Sequence, residues 1–219
     1  MADTDSRAGS QIYFTPEILE WAGKTHVPHD EALQRAFDAP AKNGMPAIQL
    51  APSEAKLTEM LLRLAGAKKV VELGTLAGYS ALRLARALPP DGHVWSIEFD
   101  ARHAEVARKV IAEAGETGRI TVVVGAGLDV LPTLEKHGPF CGVFIDADKV
   151  NYDGYGRWAA KHVRSGGLLI GDNVFLFNRL LNPDSAESAA MRRFHEEARA
   201  QFDTVCVPTP DGMLLGIKR

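Results

Sequence analysis

Short apolar segments and amphipathic segments alternate along most of this chain. Residues 70–73, 141–145 and 168–170 are nearly continuous in apolar residues, which is typical of strands buried on both faces of a parallel sheet. Between such runs lie longer segments with the apolar spacing of helices. The alternation predicts an α/β fold in which right-handed crossovers make a doubly wound sheet covered by helices on both faces.

Three helices are predicted before the first strand. Their start signals are Thr15 followed by a proline, the run His29-Asp30-Glu31, and Ser53. Residues 38–46 have the composition of a loop. In the third helix the apolar residues follow the helical period and predict its buried face: Leu57, Met60, Leu61 and Leu64.

The end of the chain departs from the strand–helix alternation. Residues 204–207 and 213–217 are two apolar runs separated by a turn rich in Pro, Asp and Gly. Such a pair predicts a hairpin, so the last strand is expected to run antiparallel to its neighbour.

Composition and charge exclude several classes of protein. With 219 residues, the chain fits one ordinary domain, and 25 Lys plus Arg against 28 Asp plus Glu provide no basic face for nucleic acid. No apolar run approaches the roughly 20 residues that a membrane span needs. The polar N-terminus has no signal-peptide core, and 2 Cys do not make a disulfide framework. We therefore expect a cytoplasmic protein with no membrane or nucleic-acid partner.

The carboxyl ends of the predicted strands indicate where a ligand should bind, because open α/β sheets bind ligands at that edge. A Gly-rich turn at residues 74–78 follows the first strand, but its spacing is not that of a dinucleotide site. Glu72 would repel a pyrophosphate there and favour a positively charged ligand. Glu98, after the second strand, could accept the hydroxyls of a ribose. S-adenosyl-L-methionine (SAM) fits both features better than a nicotinamide dinucleotide, although tight strand–helix packing alone could also explain the glycines.

Oxygen ligands also gather at this predicted edge. Asp146 ends the fourth strand, and Asp172 and Asn173 follow the fifth. Two carboxylates and an amide without His or Cys suit Mg²⁺, or Ca²⁺ or Mn²⁺. Each acid alone could instead cap a helix. Lys149 lies one helical turn beyond Asp146 and could take a proton, or it could be an ordinary surface lysine.

Taken together, these motifs resemble those of the metal-dependent catechol and caffeoyl-CoA O-methyltransferases. The matching pieces are Met45-Pro46, residues 71–80 (VELGTLAGYS), Ile97-Glu98, residues 144–152 (FIDADKVNY) and residues 171–174 (GDNV). The resemblance extends from Gly44 to the C-terminus. It implies a seven-stranded Rossmann-like methyltransferase sheet with a C-terminal antiparallel strand, a SAM-dependent transferase and, as in bacterial and plant members, a homodimer.

The resemblance, together with position after the strands, predicts roles for individual residues. Metal binding is expected from Asp146, Asp172 and Asn173, and catalysis from Lys149 as general base and from Asp146. Cofactor contacts are expected from Met45, Glu72, Gly74, Leu76, Ser80, Glu98, Phe99, His103, Gly125, Ala126 and Asp146. Acceptor contacts are expected from Met45, Lys149, Asn173, Tyr152 and Phe175, the last two as an aromatic wall.

The predicted organisation is a single O-methyltransferase domain over residues 1–219. It has a flexible tail at 1–10, helices that cover the site at 11–66 and a SAM-binding core at 67–219. The predicted reaction is metal-dependent methylation of one hydroxyl of a catechol-type small molecule: a phenylpropanoid, a flavonoid or a catechol amino-acid derivative. The alternatives are an NAD(P)-dependent oxidoreductase on a similar sheet and a non-catalytic SAM-binding protein. The acceptor stays open, because residues 175–177 (FLF) stand where the family often has a Trp.

Overall fold

Seven strands form the sheet in a computed structural model that describes residues 15–219; the predicted tail at 1–10 lies outside the described residues. The strands are β1 Lys69–Leu73, β2 His93–Glu98, β3 Ile120–Val124, β4 Phe140–Ile145, β5 Val163–Gly171, β6 Phe202–Val207 and β7 Met213–Lys218. Their order in the sheet is β3-β2-β1-β4-β5-β7-β6. The first five strands pair in parallel, while β7 is antiparallel to both β5 and β6. The predicted mostly parallel sheet with an antiparallel last strand is confirmed.

Helices cover both faces of this sheet. They are α1 Pro16–His26, α2 Glu31–Lys42, α3 Pro52–Leu64, α4 Tyr79–Ala87, α5 Ala101–Glu113, α6 Gly127–Leu134, α7 Tyr152–His162 and α8 Ala186–Gln201. Two apolar cores result, one on each side of the sheet, and Val70 and Val71 of β1 belong to different cores because successive strand residues point to opposite faces. Among the described helices, none has the length and apolar character needed to cross a bilayer.

The N-terminal region differs from its predicted pattern in two places. Helix α2 continues to Lys42 through Pro40, where a loop is predicted, because Ala36, Ala39 and Pro40 are buried against the core. In α3 the predicted apolar face is only partly correct: Leu57 and Leu61 pack partly buried against the core, but Met60 and Leu64 are exposed. The buried positions of α3 are instead Ala55, Thr58, Glu59 and Leu62.

The buried face of α3 includes the charged Glu59, which is held in an ion pair that sequence periodicity does not reveal. The Glu59 carboxylate accepts hydrogen bonds from Arg83 at 3.1 Å and from Lys56 at 2.7 Å. Arg83 lies on α4, which follows the Gly-rich turn, and both side chains of the Glu59–Arg83 pair are nearly completely buried. The pair therefore fixes α3 against the helix that begins at the predicted cofactor site.

Candidate active site

A cavity of about 920 Å³ opens at the carboxyl ends of the parallel strands, where the ligand site is predicted. Its walls come from the turn after β1, the segments after β2, β3 and β4, Asn173 after β5, and residues 48–50 before α3. The N-terminal segment is held in place by polar contacts: Gln49 Nε2 donates to Phe37 O at 2.9 Å, and Arg102 donates to Asn43 O at 2.8 Å. The cavity therefore lies between the carboxyl edge of the sheet and the segment that precedes α3.

Most of the predicted site residues line this cavity. Those that do are Gly74, Leu76, Ser80, Glu98, Phe99, His103, Gly125, Ala126, Asp146, Lys149 and Asn173. Those outside its lining are Met45, Glu72, Tyr152, Asp172 and Phe175. Their roles remain predictions, but the first group is brought together in one place by the fold.

Glu72 lies in β1, outside the cavity lining, and is completely buried. The Ser96 hydroxyl donates to its Oε2, and its Oε1 has no hydrogen-bond partner among the described residues. Burial raises the pKa of Glu72 from 4.5 to about 7, despite the opposing hydrogen bonds from Ser80 and Ser96. A buried carboxyl group with one oxygen lacking a hydrogen-bond partner would favour a nearby cationic group such as the ammonium or sulfonium of SAM.

The Gly-rich turn is shaped by Glu98 and by its approach to the next loop. Glu98 Oε2 accepts from the backbone N–H groups of Thr75 at 3.2 Å and Leu76 at 2.8 Å, so the carboxylate joins the turns after β1 and β2. Gly74 has a φ of +98°, and a Cβ there would lie 2.0 Å from Asp146 O. Close backbone packing therefore requires a glycine at position 74, whether or not this residue also contacts a ligand. His103 Nδ1 lies 3.7 Å from Glu98 Oε1.

Lys149 joins the predicted metal ligands at the other end of the cavity. Its Nζ donates to Asn173 Oδ1 at 3.0 Å, to Asp146 Oδ1 at 3.2 Å and to Tyr152 Oη at 2.8 Å. The neighbouring Asp172 is 3% exposed, and its Oδ1 has no partner among the described residues. The Lys149 amine thus lies between two oxygen atoms that are predicted to bind a cation.

The electrostatics of these side chains fit a divalent cation. Burial raises the pKa of Asp172 well above its usual range, and the charges of Asp146 and Glu54 raise it further. A cation would relieve this repulsion and pair the orphaned Asp172 Oδ1, and carboxylate and amide oxygens are ligands that Mg²⁺ and Ca²⁺ accept. Within residues 15–219, no group of three or more His, Cys, Asp or Glu side chains forms a metal cluster. The predicted metal ligands are two aspartates and an asparagine, so they are not a cluster of three such side chains.

Three predicted contact residues lie elsewhere than expected. Met45 is packed in the core, and Ile48, three residues later, lines the cavity instead. Tyr152 is completely buried beneath Lys149, with its hydroxyl on backbone carbonyl oxygens. Phe175 packs over Gly212, where a Cβ would lie 2.6 Å from the ring. Neither of the two predicted aromatic wall residues reaches the cavity surface.

Phe177 is the aromatic residue of this loop that lines the cavity, and it is 57% exposed. It is the centre of an unusual turn in which Leu176, Phe177 and Asn178 all have φ between 52° and 61°. The Asp211 carboxylate holds the turn by accepting from the Phe177 N–H at 2.7 Å, and completely buried Leu176 anchors it. Left-handed Leu and Phe carry no local sequence signal, so sequence patterns could not identify Phe177.

Tyr155 is a second cavity residue that sequence reasoning missed. Its hydroxyl donates to Asp148 Oδ1 at 2.5 Å, and Asn151 Nδ2 donates to Asp148 Oδ2 at 2.5 Å. Both Asp148 oxygens therefore accept hydrogen bonds from residues at the start of α7, which agrees with a structural role for this acid. Tyr152 and Tyr155 are three residues apart and neighbours on α7, with 6.4 Å between their ring centres, and of the two it is Tyr155 that lines the cavity.

Comparison with known proteins identifies the family. Residues 24–219 match the model of the O-methyltransferase family. The catechol O-methyltransferase of Niastella koreensis is 41% identical over 199 residues, which are 86% of this chain and 90% of the relative.

Solved structures give the same answer. The O-methyltransferase from Bacillus cereus in complex with SAH has a TM-score of 0.88 and 31% identity over 93% of this chain and 97% of its own. TomG of Streptomyces achromogenes, an O-methyltransferase involved in tomaymycin synthesis and solved with SAM, has a TM-score of 0.85 and 35% identity, over 92% and 96% of the two chains. The chain therefore belongs to the O-methyltransferase family and is a SAM-dependent O-methyltransferase.

Proposed function

We propose that this enzyme methylates one hydroxyl of a catechol-type small molecule and that it needs a divalent cation, Mg²⁺ or else Ca²⁺ or Mn²⁺, to do so. The acceptor classes are those named above: a phenylpropanoid, a flavonoid or a catechol amino-acid derivative. The observation that carries the proposal is the convergence of Asp146 and Asn173 oxygens on Lys149 Nζ, beside the unpaired Asp172 Oδ1.

Asp146, Asp172 and Asn173 would hold the cation. When bound, the cation supplies Lewis-acid stabilisation of a phenolate, and SAM supplies the methyl group as a sulfonium. In its neutral form, Lys149 Nζ would accept the proton of the reacting hydroxyl and become an ammonium, because it is the basic side chain that contacts the predicted metal ligands. Phe177 and Ile48 supply apolar surface against which an aromatic ring can pack.

Orientation should account for much of the rate. The reaction joins an anionic oxygen and a cationic sulfonium, so charge is consumed in the transition state and further electrostatic stabilisation is modest. Holding the two reactants in line can contribute several kcal/mol, on the order of 7–11 in well-oriented intramolecular reactions. The rigid attachment of Asp146, Lys149 and Asn173 to strand ends and to the start of α7 serves this purpose.

The test is a methyl-transfer assay with labelled SAM and paired vicinal diphenols and monophenols, with Mg²⁺ or with EDTA. We expect methylation of diphenols only, loss of activity in EDTA and its recovery with excess Mg²⁺. Asp146→Asn should abolish the metal-dependent rate, while the exposed Asp203→Asn on β6 is the matched control and should keep it. Full activity in EDTA, or equal rates with monophenols, would refute the proposal.

The two alternatives from sequence are not favoured. The family match and the SAM- and SAH-bound structural neighbours support a transferase over an NAD(P)-dependent oxidoreductase. The cavity-lining Lys149 cluster supports catalysis over cofactor binding alone. The homodimer, the cytoplasmic location and the division of the chain into a tail, covering helices and a core remain predictions.

A further inference from the structure

Tyr152 occupies a position that the reaction outlined above does not explain. It is the first residue of α7, and none of its surface is exposed. Its Oη is 2.8 Å from Lys149 Nζ, and the same Nζ lies 4.7 Å from the centre of the Tyr152 ring. The ring also makes an edge-to-face contact with Phe194 of α8, with 5.4 Å between ring centres. Lys149 thus rests on a rigid aromatic support.

The direction of the hydrogen bond between these two side chains is determined by their surroundings. The Tyr152 hydroxyl lies 2.8 Å from Asp172 O and 3.2 Å from Ile145 O, and both carbonyl oxygens can only accept. The single phenolic proton is therefore used on the backbone, and Oη presents lone pairs to Lys149. Lys149 must donate one N–H to Tyr152, whether the amine is charged or neutral.

The other two acceptors around Nζ are both predicted metal ligands. If Asp146 Oδ1 and Asn173 Oδ1 bind a cation, they are no longer free to accept hydrogen bonds from Lys149. Tyr152 Oη lies outside that ligand set, and its own proton is tied to the backbone of β4 and of the residue after β5. It is the partner that can hold the amine in both situations. With one N–H directed at Tyr152 Oη, the lone pair of a neutral amine is directed elsewhere than at this oxygen.

We propose that Tyr152 is a positioning residue that holds Lys149 in the orientation in which its amine takes a proton from the acceptor, rather than part of the acceptor wall. The proposal rests on the proposed function, in which Lys149 is the general base. It predicts that the Tyr152 hydroxyl matters to turnover only through Lys149, and that it contributes nothing to the binding of SAM or acceptor.

The experiment is a double-mutant cycle with Tyr152→Phe and Lys149→Met in the full chain. Single-turnover assays measure the rate of methyl transfer to the best diphenol of the panel, with Mg²⁺ and labelled SAM, and steady-state assays measure KM for both substrates. Tyr152→Phe should lower the rate roughly 10-fold, a part of what a general base contributes, with KM for both substrates unchanged. In the Lys149→Met background the same change should alter the rate less than about 2-fold, because non-additivity is the mark of a shared function.

Tyr155→Phe is the matched control, because it removes a hydroxyl from the same helix that bonds to Asp148 and not to Lys149. Its effect should be the same in both Lys149 backgrounds. Calorimetric titration with S-adenosylhomocysteine and a urea unfolding curve verify that each variant is folded and binds cofactor. A wild-type rate for Tyr152→Phe, a rise in the acceptor KM, or an equal loss in both backgrounds overturns the role of Tyr152 alone. An unchanged rate for Lys149→Met instead overturns the general base, and the inference with it.

Discussion

Replacing Glu72 with Gln should change how the stability of the protein depends on pH. Burial raises the pKa of Glu72 from 4.5 to about 7, so the folded protein binds a proton there that the unfolded chain has released. Between these two values the wild type loses stability as pH rises. The shift of about 2.5 pKa units corresponds to about 3 kcal/mol at 1.36 kcal/mol per unit. Gln cannot ionise, so the variant should escape this loss.

The measurement is urea unfolding of the cofactor-free protein at several pH values from about 4.5 to 8. The free energy of unfolding of Glu72→Gln, minus that of the wild type, should grow with pH by up to about 3 kcal/mol. Glu105→Gln on the exposed face of α5 is the control and should show no such trend. Because Gln lacks the negative charge, Glu72→Gln should also bind S-adenosylhomocysteine, which carries an ammonium group, more weakly. A difference that stays flat with pH would refute the reasoning.

Two further predictions concern the turn that carries Phe177. Phe177→Ala should raise the acceptor KM several-fold in steady-state assays, with little change in SAM affinity. The control is Leu181→Ala, which is also exposed but lies outside the cavity lining and should leave this KM unchanged. Equal effects of the two variants would contradict a contact between Phe177 and the acceptor. Asp211→Ala should lower the free energy of unfolding by about 1 kcal/mol, because it removes the acceptor for the Phe177 N–H, while Asp211→Asn should restore most of that loss. Equal losses in urea unfolding for the two Asp211 variants would show that charge, not hydrogen bonding, matters there.

Local sequence patterns were sufficient for the sheet and for the edge at which the ligand binds. The apolar runs of β1 and β4 predict buried strands because both faces must be covered, and the Pro/Asp/Gly turn before β7 predicts the antiparallel end. Because Asp146, Lys149 and Asn173 follow the ends of parallel strands, the sequence predicted that they lie together. In the structure, Asp146 Oδ1 and Asn173 Oδ1 lie within 3.2 Å of Lys149 Nζ. Parallel strands bring their carboxyl ends to one edge, so chain order alone carries this information.

Only the tertiary structure decided which side chains reach the cavity and which support it. Tyr152 is buried against Lys149, and Phe177 and Ile48 line the cavity whereas Phe175 and Met45 do not, because backbone conformation and long-range packing determine these positions. The turn at Phe177 needs Asp211 from a distant hairpin, and the buried Glu59 of α3 needs Arg83 from α4. Residue type and spacing indicate local conformation and average burial. Which partner a buried charge or a left-handed turn finds is decided only when segments remote in sequence pack together.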